Sequence, residues 1–195
     1  MNDDNQINPI IPEKKSKGFF RELLEIIAIV VFILLPIRFY IAQPFVVVGS
    51  SLSPTFTGGD YLIVDEISYR FNEPKRGDVI VFVPPLAIKD HYIKRIIGLP
   101  GDTVSVVGNV VKIINKENPN GFTLEEPYVH SERSANKEVT LSTDQYFVMG
   151  DNRAVSSDSR VFGPITRDEI SGRVFVRLYP VTAIDYLPGS VVRED

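Results

Sequence analysis

The sequence predicts an all-β domain, a twisted and partly closed barrel, preceded by one N-terminal transmembrane helix. Three observations lead there. Beyond Pro44 the chain is a succession of short β-branched and aromatic runs separated by Gly, Pro, Asn and Asp, helical periodicity is almost absent from that part, and a single long apolar run precedes it. With 195 residues and one segment in the membrane, about 150 remain for one globular domain, enough to bury a core without staples.

From the N-terminus, Met1 to Pro12 is polar, interrupted by proline and expected to be disordered. Lys14, Lys15, Lys17 and Arg21 complete a basic tail over residues 1–21. The apolar run from Leu23 to Ala42, broken by Glu25, Pro36 and Arg38, predicts an anchor over residues 22–43. Twenty helical residues at about 1.5 Å each span roughly the 30 Å hydrocarbon core, and charges near the two ends can reach the headgroups. Because the basic cluster precedes the span, the positive-inside rule places the tail in the cytoplasm and residues 44–195 outside. A cleavable signal fits less well, since Tyr40-Ile41-Ala42 has large residues where small ones are needed.

After Pro44, strands are expected at Phe45–Val48, Tyr61–Val64, Val79–Val83, around Lys94, at Gln145–Met149 and at Arg173–Tyr179. Val104–Val107 and Val110–Ile114 flank Gly108-Asn109, a hairpin signal, because glycine at the first turn position permits a positive φ. The Asn-, Glu-, Pro- and Gly-rich stretch within about residues 115–140 reads as a surface excursion. Helix is expected only in the anchor, with turns at Ile67–Phe71 and Arg167–Ile170.

Composition removes several functions. A formal charge of −4 and a pI near 5.3 do not suit a nucleic-acid surface. The absence of Cys excludes disulfides, zinc–thiolate sites and thiol catalysis. His91 and His130 are isolated and read as surface or strand residues. No cofactor, metal or nucleic-acid partner is expected.

Three blocks carry chemistry. The first, Val47-Val48-Gly49-Ser50-Ser51-Leu52-Ser53-Pro54-Thr55-Phe56, sets serines between an apolar run and a turn. The second, Tyr92-Ile93-Lys94-Arg95-Ile96-Ile97-Gly98-Leu99-Pro100-Gly101-Asp102, embeds a lysine in a β-branched run. The third, Gly150-Asp151-Asn152-Arg153-Ala154-Val155-Ser156-Ser157-Asp158-Ser159-Arg160, is a polar loop after an apolar strand. A serine hydroxyl needs a base within reach, and with no Cys and no suitably placed His, lysine is the natural candidate. Lowering a lysine pKa to about 8 requires burial that disfavours its cation by roughly 3 kcal/mol. Strand alternation puts Tyr92, Lys94 and Ile96 on one face, an environment of that kind.

In this order and local composition the blocks resemble the bacterial-type, lysine-dyad type I signal peptidases, over about Phe45 to Pro180. That resemblance implies the barrel-like catalytic fold those enzymes share with LexA-like proteins. It implies Ser51 as nucleophile, Lys94 as general base, Ser156 as the serine holding the lysine amine, and Asp158 with Arg160 as an ion pair that Arg95 joins. Gly49 stands where the family often has a serine that helps bind the oxyanion, and Leu52 replaces the usual methionine. Phe45, Val47, Val48, Leu52, Phe56, Tyr92 and Ile93 correspond to walls of pockets that admit small side chains one and three residues before the cut. A substrate would bind extended along the strand carrying Val47 and Val48.

The implied partners are secretory preproteins, cut after small-x-small sites, and membrane lipids. The loop containing Leu86, Ala87 and Ile88 is a candidate to touch lipid. Other readings are a LexA-like self-cleaving protease, which would be cytoplasmic with a DNA-binding module, and an inactive membrane-anchored binding module. The anchor and acidic balance argue against the former, and the joint presence of Ser51, Lys94, Ser156 and Asp158 against the latter.

Overall fold

A computed structural model describes residues 18–34, 42–85 and 90–190. The chain divides into two units, Met1–Ile37 and Arg38–Asp195. In the first, helix α1 (Phe19–Ile29) continues into a π-helical turn over Val30–Leu34. The described side chains of α1 are all exposed, apolar ones included. The helix begins at Phe19 rather than at residue 22, and the part of the predicted anchor at residues 35–41 lies outside the described residues, as do Leu86, Ala87 and Ile88. Among the described residues no helix is long and apolar enough to cross a membrane.

Ala42 and Gln43, predicted to close the anchor, instead open a strand. Strand β1 (Ala42–Val46) pairs antiparallel with β2 (Tyr61–Asp65), placing Ala42 opposite Asp65 and Gln43 opposite Val64. The physical reason is Pro44, which disfavours helical backbone at the residue before it and tolerates an edge strand whose outer side needs no donor.

The second unit is mostly β. Beyond β1 and β2 it contains β3 (Val79–Phe82), β4 (Tyr92–Gly98), β5 (Thr103–Gly108), β6 (Val110–Ile114), β7 (Phe122–Thr123), β8 (Ala135–Thr140), β9 (Gln145–Met149), β10 (Ile165–Thr166), β11 (Ile170–Tyr179) and β12 (Asp185–Tyr186). An eight-stranded sheet has the order β1-β2-β11-β3-β4-β9-β10, with β12 added to β11, and a four-stranded sheet has the order β7-β6-β5-β8. The short turns expected near residues 67–71 and 167–170 are 3₁₀ turns at Ser68–Arg70 and Arg167–Glu169.

Two elements differ from expectation. Strand β8 lies inside the stretch read as a surface excursion and pairs with β5 along its whole length, from Thr140 opposite Thr103 to Ala135 opposite Gly108. Its Ala-Asn-Lys-Glu-Val-Thr sequence lacks a β-branched run, because one side of this edge strand faces solvent. A single helical turn, α2 (Ser159–Phe162), forms outside the anchor, where the Asp158 side chain caps it by accepting from the Arg160 N–H.

Strand β3 is buried along its length and separates two cores. Val79 and Val81 pack with Leu52, Phe56 and Val64, whereas Ile80 and Phe82 pack with Ile96, Val148 and Ile165. Burial on both faces explains its unbroken Val-Ile-Val-Phe sequence. Strand β4 leads onward, since Ile97 joins a third core with Val104, Ile113 and Phe147. The large sheet curls into a half-barrel: although β2, β11 and β3 lie between β1 and β4 in the sheet order, the rings of Phe45 on β1 and His91 just before β4 meet edge to face with centroids 5.2 Å apart. The curl carries the first block over the second.

Gly98 marks the crossing from one sheet to the other. A Cβ there would collide with Val104 and lie 2.8 Å from Leu141 Cδ1 and 3.0 Å from the Phe147 Cβ. Gly98→Ala should therefore destabilise the domain by about 1–3 kcal/mol through overpacking. Thermal unfolding checks this, and an unchanged melting temperature would contradict the close approach.

Candidate active site

The first block leaves the edge of the sheet as a tight turn. Val47 still pairs with the extension of β2, donating to the Asp60 carbonyl at 2.9 Å and accepting from the Gly59 N–H at 3.0 Å. Gly49 then takes φ +88°, a left-handed conformation that disfavours any residue with a Cβ, which accounts for glycine here. The turn closes with the Ser53 N–H on the Ser50 carbonyl at 3.1 Å and the Phe56 N–H on the Leu52 carbonyl at 3.0 Å. Leu52 and Phe56 are buried in the core beneath it. They pin the turn from below, with Ser51 half-buried above.

Lys94 comes from β4, opposite Ile80 of β3. Its Nζ donates to Ser51 Oγ at 2.8 Å and to the Ile93 carbonyl at 2.9 Å, and lies 5.4 Å from the centroid of the Tyr92 ring. Only 4% of the residue is exposed. Burial pushes its pKa down from 10.5 to about 8, against the opposing pull of the Asp158 and Asp151 carboxylates. An amine that loses its proton near pH 8 has a lone pair available, and 2.8 Å is within reach for taking the serine proton.

The third block holds the serine turn. The Asn152 N–H donates to the Ser51 carbonyl at 3.0 Å, and a Cβ on Gly150 would collide with that same carbonyl and with Ser156 Oγ. Arg160 grips Asp158 through Nε and NH2, each at 2.9 Å. Burial works against ionisation of Asp158. Its carboxyl is nevertheless held below the ordinary carboxylate range by Arg160 and the Gly150 N–H, with the Ser156 hydroxyl beside it favouring the anion.

Two assignments come out differently. Arg95 does not join Asp158 and Arg160. It binds Asp151 through Nε at 2.9 Å and NH2 at 2.6 Å, with both side chains fully buried, because alternation sends it to the opposite face of β4 from Lys94. Ser156 is buried, yet its Oγ has no hydrogen-bond partner of ordinary geometry, on Lys94 or elsewhere, among the described residues. Its N–H is tied to the Asn152 carbonyl at 3.1 Å, which keeps the hydroxyl packed against Gly150 and beside Asp158.

The expected pocket residues divide by exposure. Phe45, Tyr92 and Ile93 are half-buried, Tyr92 beside Lys94, while Val47, Leu52 and Phe56 are buried and Val48 is exposed by 90%. Residues outside the three blocks also hold the site. The Tyr128 ring lies 3.9 Å from the Arg95 guanidinium carbon, and Glu126 binds Arg153, whose Nε reaches the Gly150 carbonyl at 3.0 Å. Neither had a sequence signal beyond an aromatic and an acid in a polar stretch.

A serine hydroxyl bonded to a buried amine, on a curled β scaffold, is an arrangement in which a lysine can take a proton from a serine. Over residues 20–179 the chain matches the family described as signal peptidase, peptidase S26. It is 38% identical over 187 residues to signal peptidase I of Leptolyngbya laminosa, covering 92% of this chain and 89% of that protein. It is 37% identical over 188 residues to probable signal peptidase I-2 of Synechocystis (93% and 84% covered) and 36% over 170 residues to signal peptidase I P of Bacillus subtilis subsp. natto (81% and 88%). The chain belongs to this signal peptidase family and is a serine-peptidase hydrolase.

The buried amine has a consequence for stability. Below about pH 8 Lys94 is protonated in both folded and unfolded chains, and folding carries the full cost of burying the cation, about 3 kcal/mol for a shift of this size. Between about 8 and 10.5 the unfolded chain binds more protons, so stability rises with pH and that cost disappears. Lys94→Met should therefore melt higher than the parent at pH 7, with the difference shrinking toward pH 10. A lower melting temperature at pH 7 would show that the amine is not desolvated.

Proposed function

We propose that this protein is a membrane-anchored Ser-Lys endopeptidase that removes signal peptides from exported preproteins. The observation that carries the reading is the 2.8 Å hydrogen bond between Lys94 Nζ and Ser51 Oγ, made by an amine that burial brings to about pKa 8. Ser51 Oγ attacks the scissile carbonyl while its proton passes to Lys94 Nζ. The developing oxyanion is met by the Ser51 N–H, which has no acceptor among the described residues. The lysine proton then goes to the leaving amine, and water attacks the acyl-serine with Lys94 again as base.

Strand β1 supports an extended substrate. It is the edge of its sheet, and because Val47 points its N–H and carbonyl toward β2, alternation leaves those of Val46 and Val48 on the free side. A substrate strand pairing there would place its alternate side chains against Phe45, Tyr92 and Ile93, where aromatic and β-branched walls favour small residues. Ser156 and the Asp158–Arg160 pair keep the catalytic loop in place around the dyad.

The apolar run over residues 22–41 serves as the anchor, with the basic tail in the cytoplasm and the domain from residue 44 outside. Its membrane role rests on hydropathy and on the exposed apolar residues of α1, such as Phe20, Leu24 and Ile29. Preproteins and lipids are the partners, with no nucleic acid or metal.

The test is cleavage of a preprotein in detergent or lipid. Ser51→Ala and Lys94→Ala should each abolish product while the far-UV spectrum is unchanged, and the double variant should be no worse than either. Substantial activity in Ser51→Ala would move the nucleophile elsewhere. Because the base must be neutral, kcat should rise with pH through about 8, and an ascending limb near 10 would contradict a desolvated Lys94.

A further inference from the structure

Thr55 closes the serine turn and is held on three sides by distant parts of the chain. Its hydroxyl donates to Asp151 Oδ2 at 2.6 Å. Its carbonyl accepts from Arg177 NH1 at 2.9 Å. Its methyl faces Gly189, where a Cβ would lie 2.6 Å from Thr55 Cγ2, 3.3 Å from Arg95 NH2 and 3.5 Å from Phe56 Cε2.

Gly189 belongs to a C-terminal segment that doubles back beneath the site. The Leu187 N–H donates to the Phe175 carbonyl at 2.8 Å, and the Ser190 N–H to the Leu187 carbonyl at 3.1 Å. Leu187 and Gly189 take φ +48° and +73°, so the backbone turns sharply on either side of buried Pro188. The Gly189 carbonyl then accepts from Arg95 NH1, and the Gly77 carbonyl accepts from the same nitrogen at 2.9 Å. The remaining Arg95 donors go to Asp151, which also accepts from Thr55.

We propose that the segment Leu187–Ser190 is a positioning element for catalysis, with Gly189 holding Arg95 through its carbonyl and leaving, by its missing side chain, the space that seats Thr55 and hence the serine turn. The inference rests on the Ser51–Lys94 reading. Arg95 adjoins Lys94 in β4, and Thr55 shares the Ser51 turn, so the segment touches a neighbour of each member of the dyad while contacting neither reacting residue. A side chain at 189 pushes on Thr55 and Arg95 together and moves Ser51 Oγ relative to Lys94 Nζ. Displacements well below the size of an atom are costly to a proton transfer that requires hydrogen-bond distance.

The experiment compares kcat and KM for peptide cleavage in full-length Gly189→Ala, Thr55→Ser and the double variant, beside Ser51→Ala, at a temperature well below every melting transition. Gly189→Ala should lower kcat by about tenfold to a hundredfold with KM nearly unchanged. Thr55→Ser removes the methyl in the way but keeps the hydroxyl for Asp151, so it should restore part of the loss when combined with Gly189→Ala, the remainder coming from the positive φ at 189. A merely structural role would lower the melting temperature without this rescue. Parental kcat in Gly189→Ala, a loss confined to KM, or a loss that Thr55→Ser does not relieve would each overturn the proposal. If Gly189→Ala does not fold, Thr55→Val decides: lower kcat at constant KM supports the relay from Asp151 to the turn, and parental kcat refutes it. Activity in Ser51→Ala would instead refute the dyad reading, an outcome separable from all of these.

Discussion

The site depends on one buried ion pair. Arg95 and Asp151 have no exposed side-chain surface and meet through two parallel hydrogen bonds. Desolvating two charges costs several kcal/mol for each, and their attraction offsets that only where the remaining donors and lone pairs are occupied. Here most are: Gly77 and Gly189 carbonyls take the other guanidinium nitrogen, Tyr128 covers its face, and Thr55 donates to the carboxylate. Such a pair is weak grounds for stability. Its geometric effect is strong, because a strand, two loops and the C-terminal segment must all present their groups at once.

The same arrangement sets the electrostatics at Lys94. Two carboxylates, Asp158 and Asp151, lie close enough to favour its cation, yet burial prevails and the amine is pushed down to about 8. Each carboxylate carries its own guanidinium, Arg160 on Asp158 and Arg95 on Asp151. An unpaired carboxylate at either place would favour lysinium more strongly and leave less free amine at neutral pH. The two arginines therefore bear on the charge state of Lys94.

The smaller sheet and its connections also reach the site. Glu126 and Tyr128 come from the segment between β7 and β8 and secure Arg153 and Arg95, while Ser131 bonds the Asn152 side chain at 2.5 Å. A stretch that composition marks as a surface loop thus closes one side of the loop over residues 150–160. The turn chemistry that makes it read as a loop is real, and so is its tertiary contact with two buried cations.

Local sequence determined a great deal. The β class, the hairpin around Gly108-Asn109, the apolar strand beginning at Val79 and lysine as the natural partner for a serine hydroxyl were legible, because alternation, turn residues and the lack of Cys or a placed His are written in short windows of chain. The Asp158–Arg160 pair was implied only by the resemblance of the third block to the signal peptidases. Tertiary structure alone decided that Arg95 faces Asp151, that Ser156 is not bonded to Lys94, that β8 is a strand, and that Glu126, Tyr128 and Gly189 contact the buried arginines. Those contacts join residues far apart in sequence through the curl of one sheet, and nothing within a short window encodes where a curled sheet brings its edge.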